Sequence, residues 1–280
     1  MTRGPGVGVR PTPRESAIDT TASVRPLARI AALLPSDFRT RHVAPRRPAV
    51  FAGLVSDWPA VQRWTLDFLQ RVYPAVSITT AQVEEGVVVM DAQRGLIHEP
   101  QQFHAFITAL RAGARDGYMM SSMSELPEGL RADAPPPPYL DRTTLQNAKL
   151  WIAPAGIVSS MHRDLADNLH AQVSGRKRFT LVAPQQSASV YPNSFFDSVP
   201  NGCRVDIEHP DYARFPRLRQ AELLVAELDP GDVIYIPRGW WHHVRTLDVS
   251  ISVNFWWASG VRRVLVQGAD YIKRVRRISR

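Results

Sequence analysis

The chain has 280 residues, 44% hydrophobic and 21% charged, with one cysteine, Cys203, and a formal charge of +8. That apolar content supports a packed core and excludes disorder as the dominant state, and a lone cysteine excludes an internal disulfide or a paired-cysteine zinc site. Any metal must be held by His and carboxylates.

The charge is confined to the ends. Residues 1–47 carry +6 and residues 261–280 carry +6, leaving −4 on residues 48–260. Basic tails of this kind read as solvated segments, so nucleic acid is not expected as a partner. No window approaches the roughly 18 apolar residues of a membrane span. The start Met1–Arg14 has Arg and Pro where a signal peptide would have its apolar stretch, so a cytoplasmic protein is expected.

Residues 1–25, rich in Pro, Gly, Arg and Thr, read as a flexible N-terminal arm. Residues 26–140 read as an α/β region. In it "AVFAGLVSDWP" suggests a strand and turn, Trp64–Tyr73 a helix, "VSITTAQV" and "GVVVMD" strands, and Pro100–Gly113 a helix with Pro in its first turn. Trp58 and Trp64 are expected in the core. The four prolines 135–138 form an extended surface connector. Residues 141–260 then break into short β segments, with Val173–Lys177 and Asp229–Asp232 as hairpin turns, which fits an antiparallel barrel or sandwich. Residues 261–280 place Val261, Leu265, Ile272, Val275 and Ile278 at helical spacing. A basic amphipathic helix there must bury its apolar stripe, and a homodimer through it is expected.

The chemistry-bearing text is "SSMHRDLADN" and "GDVIYIPRGWWHHV". In a strand, His162 and Asp164 project from one face, side by side. In the second segment His242 and His243 take opposite faces, and alternation alone does not choose between them. If the two strands oppose each other across a small barrel, His162, Asp164 and one of these histidines converge. Two His and one carboxylate with open positions opposite form the facial triad of non-haem Fe(II) oxygenases. HxD by itself is weak; the order HxD, "GRKRF", "PGD", "WWHHV", "NFWW" is specific.

From about Val50 to Ala258, carried by "WIAPAGIVSSMHRDLADNLHAQVSGRKRFTLVAPQ", "HPDYARFP", "PGDVIYIPRGWWHHV" and "SISVNFWWA", the chain resembles the JmjC-domain, cupin-like Fe(II)/2-oxoglutarate oxygenases. The likeness is to their hydroxylase branch, which contains factor inhibiting HIF and the JmjC arginyl hydroxylases. The resemblance implies a mainly β fold with flanking α elements: a double-stranded β-helix (jelly roll), an α/β N-terminal region and a C-terminal helical segment. It implies His162, Asp164 and His242 as metal ligands, His242 because the family's ligand stands five residues after the proline, here Pro237. It implies Lys177, with Tyr118 and Ser159, as partners of the far carboxylate of 2-oxoglutarate, and Asn168 near its chelating end. Trp151, Asn254 and Trp256 match segments lining the substrate entrance. For the acidic side chain that holds the target Arg in arginyl hydroxylases the chain offers Glu84 or Glu85, neither clearly at the matching place, which leaves the target amino acid open.

The expected function is hydroxylation of an amino-acid side chain in a protein or peptide of basic character, consuming O₂ and 2-oxoglutarate and releasing succinate and CO₂. N-methyl-lysine demethylation, which runs the same chemistry on a different carbon, ranks lower. Alternatives are a tailoring oxygenase for a small molecule or natural-product peptide, a non-catalytic metal-binding cupin, and a His₂Asp zinc hydrolase. A module that had abandoned 2-oxoglutarate would have no need of Lys177 and Ser159.

Overall fold

Eight strands in the second half of the chain send alternate side chains to the two faces of a sheet, and most positions on both faces are buried. They are β1 (Leu145–Ala153), β2 (Val158–Arg163), β3 (Asp167–Ser174), β4 (Lys177–Val182), β5 (Glu222–Leu228), β6 (Val233–Ile236), β7 (Trp241–Thr246) and β8 (Ser250–Trp257). The computed structural model describes residues 22–88, 90–91, 95–96, 98–194, 197 and 199–258. Nearly all of the expected N-terminal arm lies outside these residues. So does the expected C-terminal helix, and with it the homodimer.

The eight strands form two antiparallel layers, ordered β5-β4-β7-β2 and β1-β8-β3-β6. From β1 to β4 and again from β5 to β8, each strand lies in the layer opposite its predecessor. This is the double-stranded β-helix. It also corrects the two expected hairpins: β3 and β4 do not pair with each other, nor do β5 and β6. The turns at Gly175 and Gly231, both at positive φ, instead carry the chain from one layer to the other. At Gly175 a Cβ would meet the backbone carbonyl of Val249 at 2.2 Å, so only glycine fits the crossing.

Alternation sorts the side chains into three layers. The outward residues of the β1-β8-β3-β6 sheet, such as Leu150, Ile152, Leu169, Val253 and Phe255, pack under helices and loops of the N-terminal half with Phe51, Trp58 and Trp64. The outer face of the other sheet, with Trp241, Val182 and Leu223, is covered by Val190, Val205 and Phe215 of the long β4–β5 connection. Between the sheets Phe179, Leu181, Leu228, Ile234 and Ile236 close one part of the barrel with apolar side chains. Its remaining interior is polar.

N-terminal strands extend both sheets. Ser77–Glu84, Val87–Val88 and Gly117–Ser122 link the edge of β2 to the edge of β1, and Ser23–Pro26 and Ala49–Phe51 pair with β5 and β6. Two expected boundaries move. Pro100 belongs to the strand His98–Gln102, which among the described residues pairs only with Ser77–Glu84; an edge strand tolerates a residue with no N–H, and the helix runs Phe103–Arg111. The helix expected over Trp64–Tyr73 starts later and runs Leu66–Val72, because Thr65 caps it by accepting from Phe68 N–H, while Trp64 ends a separate turn of helix, Pro59–Arg63. The proline run is neither helix nor strand, yet Pro137 is buried.

Candidate metal centre

His162 near the end of β2 and His242 on β7 are cross-strand partners in the register of the sheet. Their rings lie 4.2 Å apart between centroids. Asp164, one residue past β2, turns back so that its Oδ2 is 3.8 Å from His242 Nε2. One ligand atom from each of the three residues falls within 4.8 Å of the others. Each imidazole has its Nδ1 against a backbone carbonyl, His162 on Ser160 O at 2.7 Å and His242 on Trp240 O at 3.1 Å. A carbonyl only accepts, so Nδ1 carries the proton and Nε2 presents a lone pair to the centre, as a metal-binding imidazole must. Burial, and then the neighbouring His162, push His242 down to about 4, so it stays neutral and free to ligate at ordinary pH. His243 points through the opposite face of β7, its Nε2 3.9 Å from Glu208 and away from the centre.

The carboxylate is oriented by its surroundings. Trp256 Nε1 donates to Asp164 Oδ2 at 2.8 Å, and Gly239 N–H donates to the Asp164 carbonyl at 2.9 Å. Gly239 lies in the turn leading to His242, so that bond ties two ligand-bearing segments together. Asp167 ties them again: buried, it accepts from Tyr235 Oη at 2.8 Å and from the Arg238 backbone and guanidinium at 3.2 and 2.9 Å.

Lys177, the first residue of β4, is fully buried inside the barrel. Its amine donates to Ser252 Oγ at 3.0 Å and lies 5.8 Å from the Tyr118 ring, and among the described residues no carboxylate pairs with it. Burial pulls it down to about 7. The Tyr118 hydroxyl, itself buried and pushed up to about 12, is hydrogen-bonded to Ser159. On β3, Asn168 Oδ1 and His170 Nε2 are buried and have no partner. Lone buried cations and orphaned polar atoms are costly, and a chain keeps them where a ligand completes them. A metal-chelating 2-oxo acid with a second carboxylate fits this set.

Trp151 Nε1 donates to Asn254 Oδ1 at 2.6 Å, and the Trp151 and Trp256 rings meet edge to face at 6.3 Å. Lys149 Nζ stands 5.7 and 5.9 Å from these two rings. Glu84 and Glu85 are exposed at the turn before Val87–Val88. Ser252, His170 and the Glu208–Arg245 pair outside β7 escape motif reading. The available signal was the parity of β3 and β8, since Asn168 and His170, and Ser252 and Asn254, are two apart and share a face.

Solved structures support the fold. The Escherichia coli ribosomal oxygenase YcfD superposes with a TM-score of 0.52 at 18% identity, covering 86% of this chain and 56% of that one. A structure of the same protein with cobalt and 2-oxoglutarate gives a TM-score of 0.52 at 17% identity, covering 88% and 56%. In sequence, "Lysine-specific demethylase 8" of Xenopus tropicalis is 35% identical over 234 residues, 79% of this chain and 50% of that protein. "Jumonji C domain-containing protein 5" of Drosophila melanogaster is 29% identical over 242 residues, 79% of this chain and 57% of that protein. The chain thus spans about half the length of the curated relatives it matches. The Cupin-like domain family matches residues 35–262, and with the His–Asp–His centre inside a double-stranded β-helix the chain belongs to that family, in the JmjC-type group that uses Fe(II) and 2-oxoglutarate.

Proposed function

We propose that this chain is an Fe(II)- and 2-oxoglutarate-dependent oxygenase that hydroxylates a side-chain carbon in a protein or peptide, with succinate and CO₂ as co-products. The observation that carries the reading is Lys177, a cation buried in the same barrel as His162, Asp164 and His242 and without a carboxylate of its own. A hydrolase or a purely structural metal site has no use for it.

In this reading His162, Asp164 and His242 hold the metal through Nε2, a carboxylate oxygen and Nε2. Lys177, Tyr118 and Ser159 bind the far carboxylate of 2-oxoglutarate, and Asn168 stands near the chelating end. Bound Fe(II) supplies the oxidising chemistry with O₂ and 2-oxoglutarate. The protein's contribution is position: Trp256 and Gly239 hold Asp164, and Trp151 with Asn254 forms the wall against which the target side chain is placed. The acidic balance of residues 48–260 favours a substrate segment of basic character.

Relatives that bear the name lysine-specific demethylase make removal of an N-methyl group the second reading. Mass spectrometry separates the two. The Fe(II)-loaded protein is incubated with 2-oxoglutarate and a peptide library containing methylated and unmodified lysines. Gain of one oxygen atom, coupled to succinate formation, is expected; loss of a methyl group would favour demethylation, and no succinate above the metal-free control would reject the proposal.

A further inference from the structure

We infer that His170 is a further cosubstrate-binding residue, whose Nε2 donates to the distal carboxylate of the 2-oxo dicarboxylic acid beside Lys177. The inference rests on the oxygenase reading above and adds a residue to it.

Three observations place the imidazole. On β3 it is two residues beyond Asn168 and shares its inward face, and in the sheet it pairs with Asn254 of β8. Its ring meets Phe179 of the opposite sheet edge to face at 5.0 Å between centroids, so it spans the barrel interior at the level of β4, the strand that begins with Lys177. Its Nε2 is buried without a partner among the described residues. Along β4, Phe179 stands between Lys177 and Leu181, and Leu181 is the cross-strand partner of His242, so the imidazole lies at a level between the buried cation and the metal-binding end, along the path a five-carbon 2-oxo dicarboxylic acid would take.

The chemistry favours donation to the distal carboxylate over other roles. Burial, and next the charge of Lys177, hold His170 well below its ordinary value, so it is a neutral ring with one N–H to give. A second cation beside Lys177 would be repelled in a dry interior, whereas a neutral donor there adds a hydrogen bond without adding charge. A carboxylate has about four lone-pair sites, more than one bond each from Lys177, Tyr118 and Ser159 satisfies.

The test compares two ligands on the Mn(II)-loaded full chain by calorimetry, so that no turnover is needed. One is 2-oxoglutarate; the other is 2-oxobutyrate, which keeps the chelating end and lacks the distal carboxylate. His170→Phe, which keeps a planar ring, should weaken 2-oxoglutarate about tenfold to a hundredfold, the worth of a hydrogen bond to a charged group, while leaving 2-oxobutyrate and Mn(II) affinity nearly unchanged. His170→Gln, which retains a donor, should recover part of the loss, and His170→Leu provides an apolar variant of different shape. Equal losses for both ligands would mean that the ring only packs, and 2-oxoglutarate affinity within about twofold of the parent in both apolar variants would mean that a water satisfies Nε2. Either result overturns the inference. Lys177→Ala is the control: if it also leaves 2-oxoglutarate binding unaltered, the oxygenase reading itself falls.

Discussion

His242 and His243 are neighbours in the chain and are buried on opposite faces of β7, one against His162 inside the barrel and the other 3.9 Å from Glu208 outside it. Burial pushes both down to about 4, so neither burial nor basicity distinguishes them. Direction does. His242→Ala should abolish tight Fe(II) binding with the fold retained, whereas His243→Ala should leave Fe(II) binding intact and cost stability through the Glu208–Arg245 pair it packs on. Metal titration with thermal melting of both variants checks this, and the reverse pattern would overturn the register of the site.

Lys177→Ala should weaken 2-oxoglutarate by about a hundredfold or more, since the partner of a buried carboxylate is lost, with Fe(II) affinity nearly unchanged. A pH dependence follows from its burial. Lys177 is lowered from 10.5 to about 7 in the folded protein, so between those values the unfolded chain binds more protons. The cosubstrate-free protein should therefore gain stability as pH rises through that window, the burial penalty being fully present below about 7. Affinity for 2-oxoglutarate, which needs the charged amine, should fall over the same rise. Calorimetry and denaturant melts across the window test both slopes, and Lys177→Ala should flatten them.

Trp256→Phe keeps a ring at the barrel mouth and removes the hydrogen bond to Asp164 Oδ2. Groups that orient a metal ligand are typically worth tenfold to a hundredfold in metal affinity. Fe(II) or Co(II) affinity should fall by about tenfold, and the Co(II) absorption spectrum should shift as the carboxylate reorients. An unchanged spectrum and affinity would assign Trp256 to the substrate wall alone.

Gly175→Ala tests the crossing between sheets. A methyl group there meets the Val249 carbonyl at a distance no packing rearrangement of side chains relieves, on a residue at φ +65. The variant should melt markedly lower, because the left-handed conformation alone costs about 1–2 kcal/mol and the clash adds to it. Melting within a degree or two of the parent would mean that the β3–β4 turn shifts freely.

Much of this protein is legible along the chain. The period-2 runs from Leu145 to Trp257 name the strands and divide their faces, because alternation is a property of the backbone itself. HxD and the adjacent histidines mark the candidate centre, and a single interior-bound lysine stands out in a chain whose other basic groups are mostly arginine. The N-cap at Thr65 and the edge position of Pro100 were less legible, since both depend on what the segment packs against.

What local pattern could not supply was which sheet each strand joins. A glycine at positive φ after a strand serves a hairpin and a sheet crossing equally well, and only the pairing partners of β3, β4, β5 and β6 separate the two. The same limit hid His170: its parity with Asn168 was readable, but its value comes from Phe179 and Lys177 on the opposite sheet. The choice of His242 over His243 and the isolation of Lys177 from every carboxylate of the described residues are likewise relations between strands distant in sequence. Spacing along a strand sets the face a side chain takes, and only the closure of the barrel decides what that face meets.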